Sequence, residues 1–504
     1  MSFSWILLTF PIIANAANIL VFTPLPVKSH IRGFQPLFEQ LAQRGHNVTV
    51  LSCFPVNGTI PNYTDVGPFM EGERKRNVME LVDMNFLNSS PLKWNLGVKL
   101  GSLVLSHKKM MEFIHSESYS FDLVMVETFV QEYTVAIGHK FNAPVINLVP
   151  AALWPSISKW LHMPSTFSYI PDICSSVTDE MTFIERLKNT ISGVIQLYVE
   201  NLHYMPKIKQ IMDKYFKYTG WETRPSLEEM LKNVSLTLVN GHYAVGVTRP
   251  YLPGVIEVGG MHIRPSKRLP QNIQSFMDSA PEGVILFSFG SVVNLSDLPK
   301  VKLDAIITVL AKLKQKIIIK WSPDENIKLP SNIITEAWIP QQDILAHSNL
   351  KLFITHGGLH SLEEATYYAV PVVGVPFFAD QYSNVKLVEN KFCGKLEGFH
   401  YLTEETFGNA VNEVLTNSMY KENMKKQSLI YKDQPTSPME RAVYWVEYVI
   451  RNRGAEHLKS DSLDLNDSQY FLIDVVLAVL VSTGVLFCVC YYGSKKLLCP
   501  LFWR

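Results

Sequence analysis

The sequence predicts an α/β protein in which two parallel-sheet domains face each other, followed by one membrane-spanning helix. Three observations predict this class. Strand-like and helix-like stretches alternate in the first half, the alternation resumes near residue 281, and a long apolar run stands near the C-terminus. With 504 residues, 47% of them hydrophobic, the chain is long enough for two domains.

The first half contains four strand-like apolar runs, at 18–25, 47–52, 121–127 and 144–150. A helix-like stretch, FQPLFEQLAQRGH, separates the first two. Strands that alternate with helices are typical of βαβ units and therefore of a parallel sheet. We predict an N-terminal domain over residues 17–265.

A second series of strand-like runs reads GVILFSFGS, KIIIKW, LKLFITHGG and VPVVGVP. The stretch GGMHIRPSKRLPQ, rich in Gly, Pro and basic residues, separates the two halves. We predict a linker over 266–280 and a second domain over 281–437. Doubly wound sheets bind ligands beyond the carboxyl ends of their strands. We therefore expect the binding and catalytic residues to lie in a cleft between the two sheets.

Both ends of the chain resemble membrane-targeting segments. Residues 1–16 contain the apolar run WILLTFPIIA followed by ANAA, which predicts a cleaved signal peptide. A buried strand or an anchor is the alternative, although the run is too short to span a bilayer. Residues 470–492 are long and apolar enough to cross one. Lys495 and Lys496 follow, which predicts a cytoplasmic tail over 493–504 and a lumenal bulk.

Charge and cysteine content exclude several other classes. The chain has 46 basic and 46 acidic residues, so no electrostatic case exists for nucleic acid binding. The cysteines outside the predicted span and tail, Cys53, Cys174 and Cys393, have no CxxC spacing and predict neither a disulfide framework nor a zinc site. Seven glycosylation sequons fit a secreted domain.

The stretch FITHGGLHSLEEA places a glycine pair where a buried strand gives way to a helix. Glycines at such a junction let the backbone approach a ligand, and the free N–H groups of the helix attract anions. His356 and Gly358 therefore predict a phosphate site. A capping box formed by Ser361 and Glu364 explains the same pattern without any ligand. This stretch alone does not decide between the two interpretations.

The longer segment 338–385, which begins WIPQQDILAHSNLKLFITHGG, decides between them. It carries Trp-x-Pro-Gln, His-x-Gly, Ser-x-x-Glu-Ala, Val-Pro and Asp-Gln in one order, and so resembles the signature of the UDP-glycosyltransferase family. The resemblance covers nearly the whole chain and is to the membrane-bound, insect-type animal branch. It implies the GT-B architecture of two facing Rossmann-like domains, with a helix in 438–469 that crosses back onto the first domain before a juxtamembrane stretch.

The resemblance also implies a role for each donor-site residue. Trp338 stacks on the uracil, Gln341 lies beside the base and ribose, and Glu364 accepts hydrogen bonds from the ribose hydroxyls. It implies that four residues contact the diphosphate: His356, Gly358, Ser361 and Ser291. It implies that Asp380 and Gln381 contact the hydroxyls of the sugar. A packing role for Trp338 and a helix cap for Asp380 are the alternatives.

The sequence predicts no metal and no cofactor, since the UDP-sugar is a co-substrate. The chain contains no Asp-x-Asp, the usual way to present a divalent ion to a nucleotide sugar. His356, Ser291, Ser361 and the helix dipole are therefore expected to stabilise the leaving-group charge.

The candidate base is His30, which follows the first strand. A histidine titrates near neutrality and can accept a proton from an attacking hydroxyl. A lone histidine is more often a solvated loop residue, but Ser29-His30 lies at the catalytic histidine of the family. The family orients that histidine with an aspartate, whereas this chain has Glu127. We expect the extra methylene to require a shifted backbone, and Asp122, at the other end of the strand, to lie too far away.

The predicted function is inverting transfer of a hexose, with glucose preferred, from a UDP-sugar to a hydroxyl of a small lipophilic acceptor. Apolar clusters at 108–115 and 152–170 are expected to line the acceptor pocket. Glucuronosyl transfer is one alternative, and a non-catalytic lumenal protein that binds nucleotide sugars or lipophiles is another. The resemblance implies residence in the endoplasmic reticulum membrane as a single-pass type I protein, with detoxification as the role and a homo-oligomer as a further expectation.

Overall fold

The computed structural model describes residues 16–56, 58–69, 82, 86–164, 166–175, 177–291, 293–323 and 328–498. The predicted signal peptide over 1–16 lies outside these residues except for Ala16, and so does the end of the predicted tail beyond Leu498.

The first domain is built on seven strands that form one sheet. They are β1 Asn18–Thr23, β2 Asn47–Ser52, β3 Tyr63–Val66, β4 Leu123–Glu127, β5 Val145–Val149, β6 Leu236–Val239 and β7 Val255–Glu257. All pairs are parallel, in the order β3-β2-β1-β4-β5-β6-β7. Helices cover both faces, which is why the central strands read as continuous apolar runs.

The second domain repeats this architecture with six strands. They are β8 Val284–Ser288, β9 Lys316–Lys320, β10 Ile333–Glu336, β11 Leu350–Thr355, β12 Val372–Gly374 and β13 Gly394–Leu396. Their order is β10-β9-β8-β11-β12-β13, again with all pairs parallel. The predicted α/β class with two Rossmann-like domains is confirmed.

Eight α-helices accompany the first sheet within the described residues. They are α1 Lys28–Gln43, α2 Phe86–Leu105, α3 Lys108–His115, α4 Ala136–Phe141, α5 Pro155–Trp160, α6 Phe183–Val199, α7 Met205–Tyr215 and α8 Leu227–Lys232. The helices that follow are α9 Gln271–Asp278, α10 Lys300–Ala311, α11 Gln341–Leu345, α12 Leu359–Tyr367, α13 Gln381–Asn390, α14 Glu404–Thr416, α15 Ser418–Lys432, α16 Pro438–Asn452, α17 Asp467–Tyr470 and α18 Ile473–Leu498.

The segment 266–280 packs on the second domain, whereas helix α16 packs on the first. Residues 266–280 contain α9, whose Ile273 and Met277 are buried in the second domain, so this segment is only partly a connection. Helix α16 instead returns to the first domain, where its apolar side packs in the same core as α1. The Arg44 guanidinium, just after α1, donates to Glu447 of α16 at 2.6 Å.

The functional edge of each sheet lies where the strand order reverses. β1 stands between β2 and β4, and β8 stands between β9 and β11. Connections that leave these strands at their carboxyl ends diverge to opposite sides, which opens a crevice between them. A cavity of ≈ 1340 Å³ lies between the two domains and is lined by residues from both of these crevices.

Helix α18 is the one candidate membrane span in the described part of the chain. Over 473–495 its hydropathy is 2.5, and none of its most apolar window is buried against the rest of the protein. It begins three residues later than the predicted run 470–492, because Leu472 has a positive φ of 55° and separates it from α17.

Candidate active site

The candidate base lies in the first turn of α1. β1 ends at Thr23 and α1 begins at Lys28, which puts His30 at the carboxyl edge of the sheet. Glu127 is the last residue of the neighbouring strand β4. His30 Nδ1 lies 2.5 Å from Glu127 Oε1, and the carboxylate side chain is 5% exposed against 20% for the imidazole. The β1–β4 register is unbroken, so the expected backbone shift is not needed and the side chain alone spans the gap.

The surroundings of His30 restrict the ring and rule out Asp122 as its partner. Phe129 packs edge-on against the imidazole, with the ring centroids 5.2 Å apart. Asp122 stands at the opposite end of β4, where its carboxylate accepts a hydrogen bond from the Asn18 N–H at 2.8 Å. Glu127 is therefore the acidic partner of His30.

The candidate phosphate site is the turn from β11 into α12. Gly357 has a φ of +84°, a left-handed conformation that favours glycine. The helix begins at Leu359 with Gly358 as its N-cap and without a side-chain cap. Ser361 is already inside the helix, so the capping box considered from the sequence is wrong. The N–H groups of the first turn remain directed toward the cavity side, where an anion is stabilised.

The His356 imidazole lies over this helix N-terminus. Its position is shown by Gly358, where an added Cβ would meet His356 Nε2 at 2.5 Å. Burial, with the nearby Lys320 ammonium, lowers the pKa of His356 to about 4. The imidazole is therefore neutral at physiological pH and offers hydrogen bonds rather than charge. Lys320 supplies a cation here, and its Nζ donates to the Gly290 carbonyl at 2.7 Å. Lys320 was not among the residues predicted from the sequence, although this lysine is the last residue of β9 and lies at the carboxyl edge of the sheet.

Glu364 is held by two glutamines from the start of α11. Gln341 Nε2 donates to Glu364 Oε2 at 2.7 Å and to Ser361 Oγ at 3.2 Å, and Gln342 Nε2 donates to the other carboxylate oxygen at 3.0 Å. Burial raises the pKa of Glu364 to about 7, against the opposing effect of these two amides. Glu364 is therefore a buried side chain with a fixed orientation, and its oxygens can accept hydrogen bonds. Gln342 was not among the predicted residues.

Trp338 is 59% exposed, which excludes the alternative that it is a core packing residue. Two cations lie over its ring, with Arg32 Cζ 5.0 Å and Lys320 Nζ 4.5 Å from the ring centroid. Arg32 belongs to α1 of the first domain, so the indole also marks where the two domains meet. A planar base can take the place of one cation on this aromatic face.

The last donor residues flank α13 and β8. Asp380 occupies the N-cap position of α13 without a capping bond, so the helix-cap alternative fails. It accepts a hydrogen bond from Asn384 Nδ2 at 2.8 Å, and burial raises its pKa. The side-chain oxygen Oε1 of Gln381 accepts a hydrogen bond from the Phe377 N–H at 2.8 Å and so holds the preceding loop in place. Ser291 lies in the turn after β8.

The structure brings the predicted residues together around one cavity. Ten of the eleven predicted site residues line it, and the eleventh, Glu127, lies behind His30. The base comes from the first domain and the donor residues come from the second. The cavity, at ≈ 1340 Å³, exceeds the size of a typical single-ligand pocket and has room for two substrates.

The predicted acceptor lining needs correction. The stretch 108–115 contributes nothing to the cavity, since its large apolar residues are packed in the first-domain core, and 152–170 contributes only Trp154. The apolar wall is formed instead by Leu92, Leu96 and Leu100 of α2, with Phe129 and Val130 after β4. The four-residue spacing of these leucines was the signal available in the sequence.

Two facing Rossmann-like domains, with a histidine–carboxylate pair on one side of the cleft and a helix N-terminus beside an exposed tryptophan on the other, have the architecture of a nucleotide-sugar-dependent glycosyltransferase. The family model described as "UDP-glucoronosyl and UDP-glucosyl transferase" matches residues 73–499. The chain belongs to this family of UDP-glycosyltransferases.

Similar proteins support this assignment. UDP-glycosyltransferase UGT4 of Dactylopius coccus is 35% identical over 94% of this chain and 93% of that protein. Human UDP-glucuronosyltransferase 2A2 is 30% identical over 97% of this chain and 94% of that protein. Among solved structures, Medicago truncatula UGT71G1 complexed with UDP-glucose superposes with a TM-score of 0.58, at 14% identity, over 87% of this chain and 99% of that one, and shares the fold.

Proposed function

We propose that this enzyme transfers glucose from UDP-glucose to a hydroxyl group of a small lipophilic acceptor, with inversion at the anomeric carbon. The observation that carries the proposal is that the His30–Glu127 pair and the donor residues meet at one cavity. A base and an activated sugar held in the same cleft are what a direct displacement requires, because the encounter of the reactants is already arranged.

His30 is the general base in this proposal. With Nδ1–H donating a hydrogen bond to Glu127, the lone pair of Nε2 is left to accept the proton of the acceptor hydroxyl. The buried carboxylate holds the ring in this tautomer and stabilises the imidazolium that forms. The acceptor oxygen then attacks the anomeric carbon from the face opposite UDP, so an α-linked donor gives a β-glycoside.

The leaving UDP gains negative charge as the glycosidic bond breaks. The N–H groups at the start of α12, the neutral imidazole of His356 and the ammonium of Lys320 surround the diphosphate position and stabilise that charge. Trp338 stacks on the uracil, and Glu364 accepts hydrogen bonds from the ribose hydroxyls. No metal ion takes part in the proposed step.

A lipophilic acceptor fits the chemistry of the first-domain wall. Leucines of α2 and two residues after β4 present an apolar surface beside His30. A phenol or lipophilic alcohol buries its hydrocarbon part there and leaves its hydroxyl near the base.

Glucose is the preferred donor because the similar insect proteins include one named UDP-glucosyltransferase 2, which is 33% identical over 97% of this chain. Glucuronate is the second candidate, supported by the name of the human relative. Asp380 and Gln381 can contact the hydroxyls of either sugar.

We also propose that the protein is a single-pass type I protein of the endoplasmic reticulum membrane, with both domains in the lumen. The segment before α18 docks on the first domain, since His162 Nδ1 lies 2.6 Å from the Ser462 carbonyl and the Tyr470 hydroxyl donates to His162 O. Near this docking point, α6 packs against α5 and exposes an apolar stripe: Phe183, Ile184, Leu187, Ile191 and Ile195. A lipid surface beside the anchor would cover that stripe.

The test uses the full-length protein in detergent with UDP-glucose or UDP-glucuronate and a panel of phenols and lipophilic alcohols. We expect UDP release matched by a β-glycoside from UDP-glucose, and a loss of turnover of at least ~100-fold in His30→Gln with unchanged UDP affinity. An α-configured product would refute inversion. UDP binding without turnover on any acceptor would favour the non-catalytic alternative.

A further inference from the structure

A cluster of metal-ligating side chains lies beside the donor site and has no role in the proposed transfer. One ring nitrogen each of His262 and His360 and a carboxylate oxygen of Glu363 lie within 4.8 Å of one another. His262 follows β7 in the connection between the domains, whereas His360 and Glu363 stand three residues apart on one side of α12. Both histidines reach the main cavity, so small solutes have access.

His262 and Glu363 are buried and poorly satisfied, whereas His360 is half-buried and its Nε2 lies 3.4 Å from Asn240 Nδ2. The His262 side chain is 8% exposed and that of Glu363 is fully buried. Within the described residues, neither ring nitrogen of His262 has a hydrogen-bond partner, nor does Glu363 Oε1. Asn240 Nδ2 lies 3.5 Å from Glu363 Oε2, which is a long hydrogen bond. Buried polar groups without partners are costly, and a bound ion would satisfy several of these at once.

The distances suit a small transition metal. Bonds of about 2.0–2.2 Å in a tetrahedron separate neighbouring ligand atoms by roughly 3.3–3.6 Å. His262 Nδ1 and Glu363 Oε2 are 3.7 Å apart, already close to that spacing. The two imidazole rings are nearly perpendicular, with centroids 4.6 Å apart. The three ligand atoms all lie within 4.8 Å of one another, so a shift of about 1 Å brings even the widest pair close to the tetrahedral spacing.

The second nitrogen of His262 has a matching partner. Its Nε2 lies 3.7 Å from Glu364 Oε1. A metal on Nδ1 leaves the proton on Nε2, facing this carboxylate, which is the outer-shell arrangement that orients metal-bound histidines. Glu364 is the residue assigned to the ribose, so an ion at the cluster and a donor in the cleft would share one carboxylate.

We propose that His262, His360 and Glu363 bind a transition metal ion of the Zn²⁺ class, separate from the sugar-transfer chemistry, and that the ion ties the interdomain connection to the donor helix α12. Two imidazoles and one carboxylate favour zinc or a similar ion over Mg²⁺ or Ca²⁺, which take oxygen ligands. Because the ligands come from both sides of the domain junction, the bound ion restricts movement between the domains.

The proposal is tested on the full-length, tag-free protein in detergent after treatment with a chelator. Zn²⁺ is titrated in competition with a chromophoric chelator, and Co²⁺ is added separately to report coordination by its visible absorption. We expect one Zn²⁺ per chain, an intense tetrahedral Co²⁺ spectrum, and a rise in Tm with Zn²⁺ because only the folded chain holds the site.

His360→Leu and Glu363→Gln are each expected to lower Zn²⁺ affinity at least ~100-fold and to abolish the Tm shift, since each removes a direct ligand. His203→Leu, at an exposed histidine far from the cluster in sequence, is the matched control and should leave both unchanged. Far-UV circular dichroism of each variant verifies its fold. A wild-type chain that binds no Zn²⁺ under these conditions, or a folded variant that keeps wild-type affinity, would overturn the proposal.

Discussion

Replacing Glu127 by aspartate tests whether the reach of this carboxylate matters as much as its charge. The wild-type oxygen lies 2.5 Å from His30 Nδ1, and the backbone of β4 is fixed by unbroken pairing on both sides. Removing one methylene withdraws the carboxylate by about 1.5 Å, one carbon–carbon bond. The contact then lengthens to roughly 4 Å, beyond hydrogen-bonding distance.

The expected loss follows from the strength of that bond. A hydrogen bond to a charged group contributes about 1.5–3 kcal/mol, which corresponds to a fall in kcat/KM of about 10- to 150-fold. Glu127→Gln keeps the reach but removes the charge, so we expect a loss of similar size. UDP affinity should not change, because Glu127 lies in the first domain behind His30.

The assay measures kcat/KM with UDP-glucose and a phenolic acceptor, alongside calorimetric titration of UDP. Asp122→Asn is the matched control, since it alters an exposed carboxylate on the other end of β4 and should leave kcat/KM at the wild-type value. Full activity in Glu127→Asp would show that the 2.5 Å contact is dispensable and would refute the assignment of an orienting role.

Three further predictions concern the donor site. Trp338→Ala should weaken UDP binding by about 1–3 kcal/mol, measured by titration, and leave Tm unchanged because the ring is 59% exposed. Gly358→Ala should also weaken UDP binding, since its Cβ would meet His356 Nε2 at 2.5 Å, whereas Gly408→Ala, whose Cβ would meet Val309 at an ordinary 3.6 Å, should have no effect. The pKa of His356, about 4, lies below that of an unfolded histidine, so the unfolded chain binds more protons between these values and stability falls as pH drops from about 6.5 to 4. His356→Gln should reduce that slope by at most about 1.4 kcal/mol per pH unit in denaturant unfolding, and an unchanged slope would contradict the buried neutral state.

The donor segment was readable from sequence because its residues are contiguous and ordered. Trp338, His356 and Asp380 each follow the carboxyl end of a strand, β10, β11 and β12, so one stretch of the chain supplies most of the donor-site candidates. The same stretch left alternatives open, since capping and binding use the same residue types. Only the position of Gly358 as the N-cap of α12 eliminated the capping box.

Residues contributed by distant segments were not predictable in the same way. Lys320 and Arg32 reach Trp338 from β9 and from α1 of the other domain. The acceptor wall was assigned to an apolar stretch at 108–115 that is buried in the core, because composition cannot tell a core side chain from a cavity-lining one. The His262–His360–Glu363 cluster likewise joins residues about a hundred positions apart.

The amino-acid sequence by itself determined the two-domain α/β architecture and the donor-binding segment, since both depend on local alternation of apolar runs and on a motif within one stretch of chain. The tertiary structure decided which carboxylate contacts His30, which cations lie over the Trp338 ring, and which apolar side chains line the cavity. These are contacts between segments far apart in sequence. Their geometry depends on how the sheets bring the strand ends together. At Glu127 a change of one methylene group is enough to lengthen the contact with His30 beyond hydrogen-bonding distance.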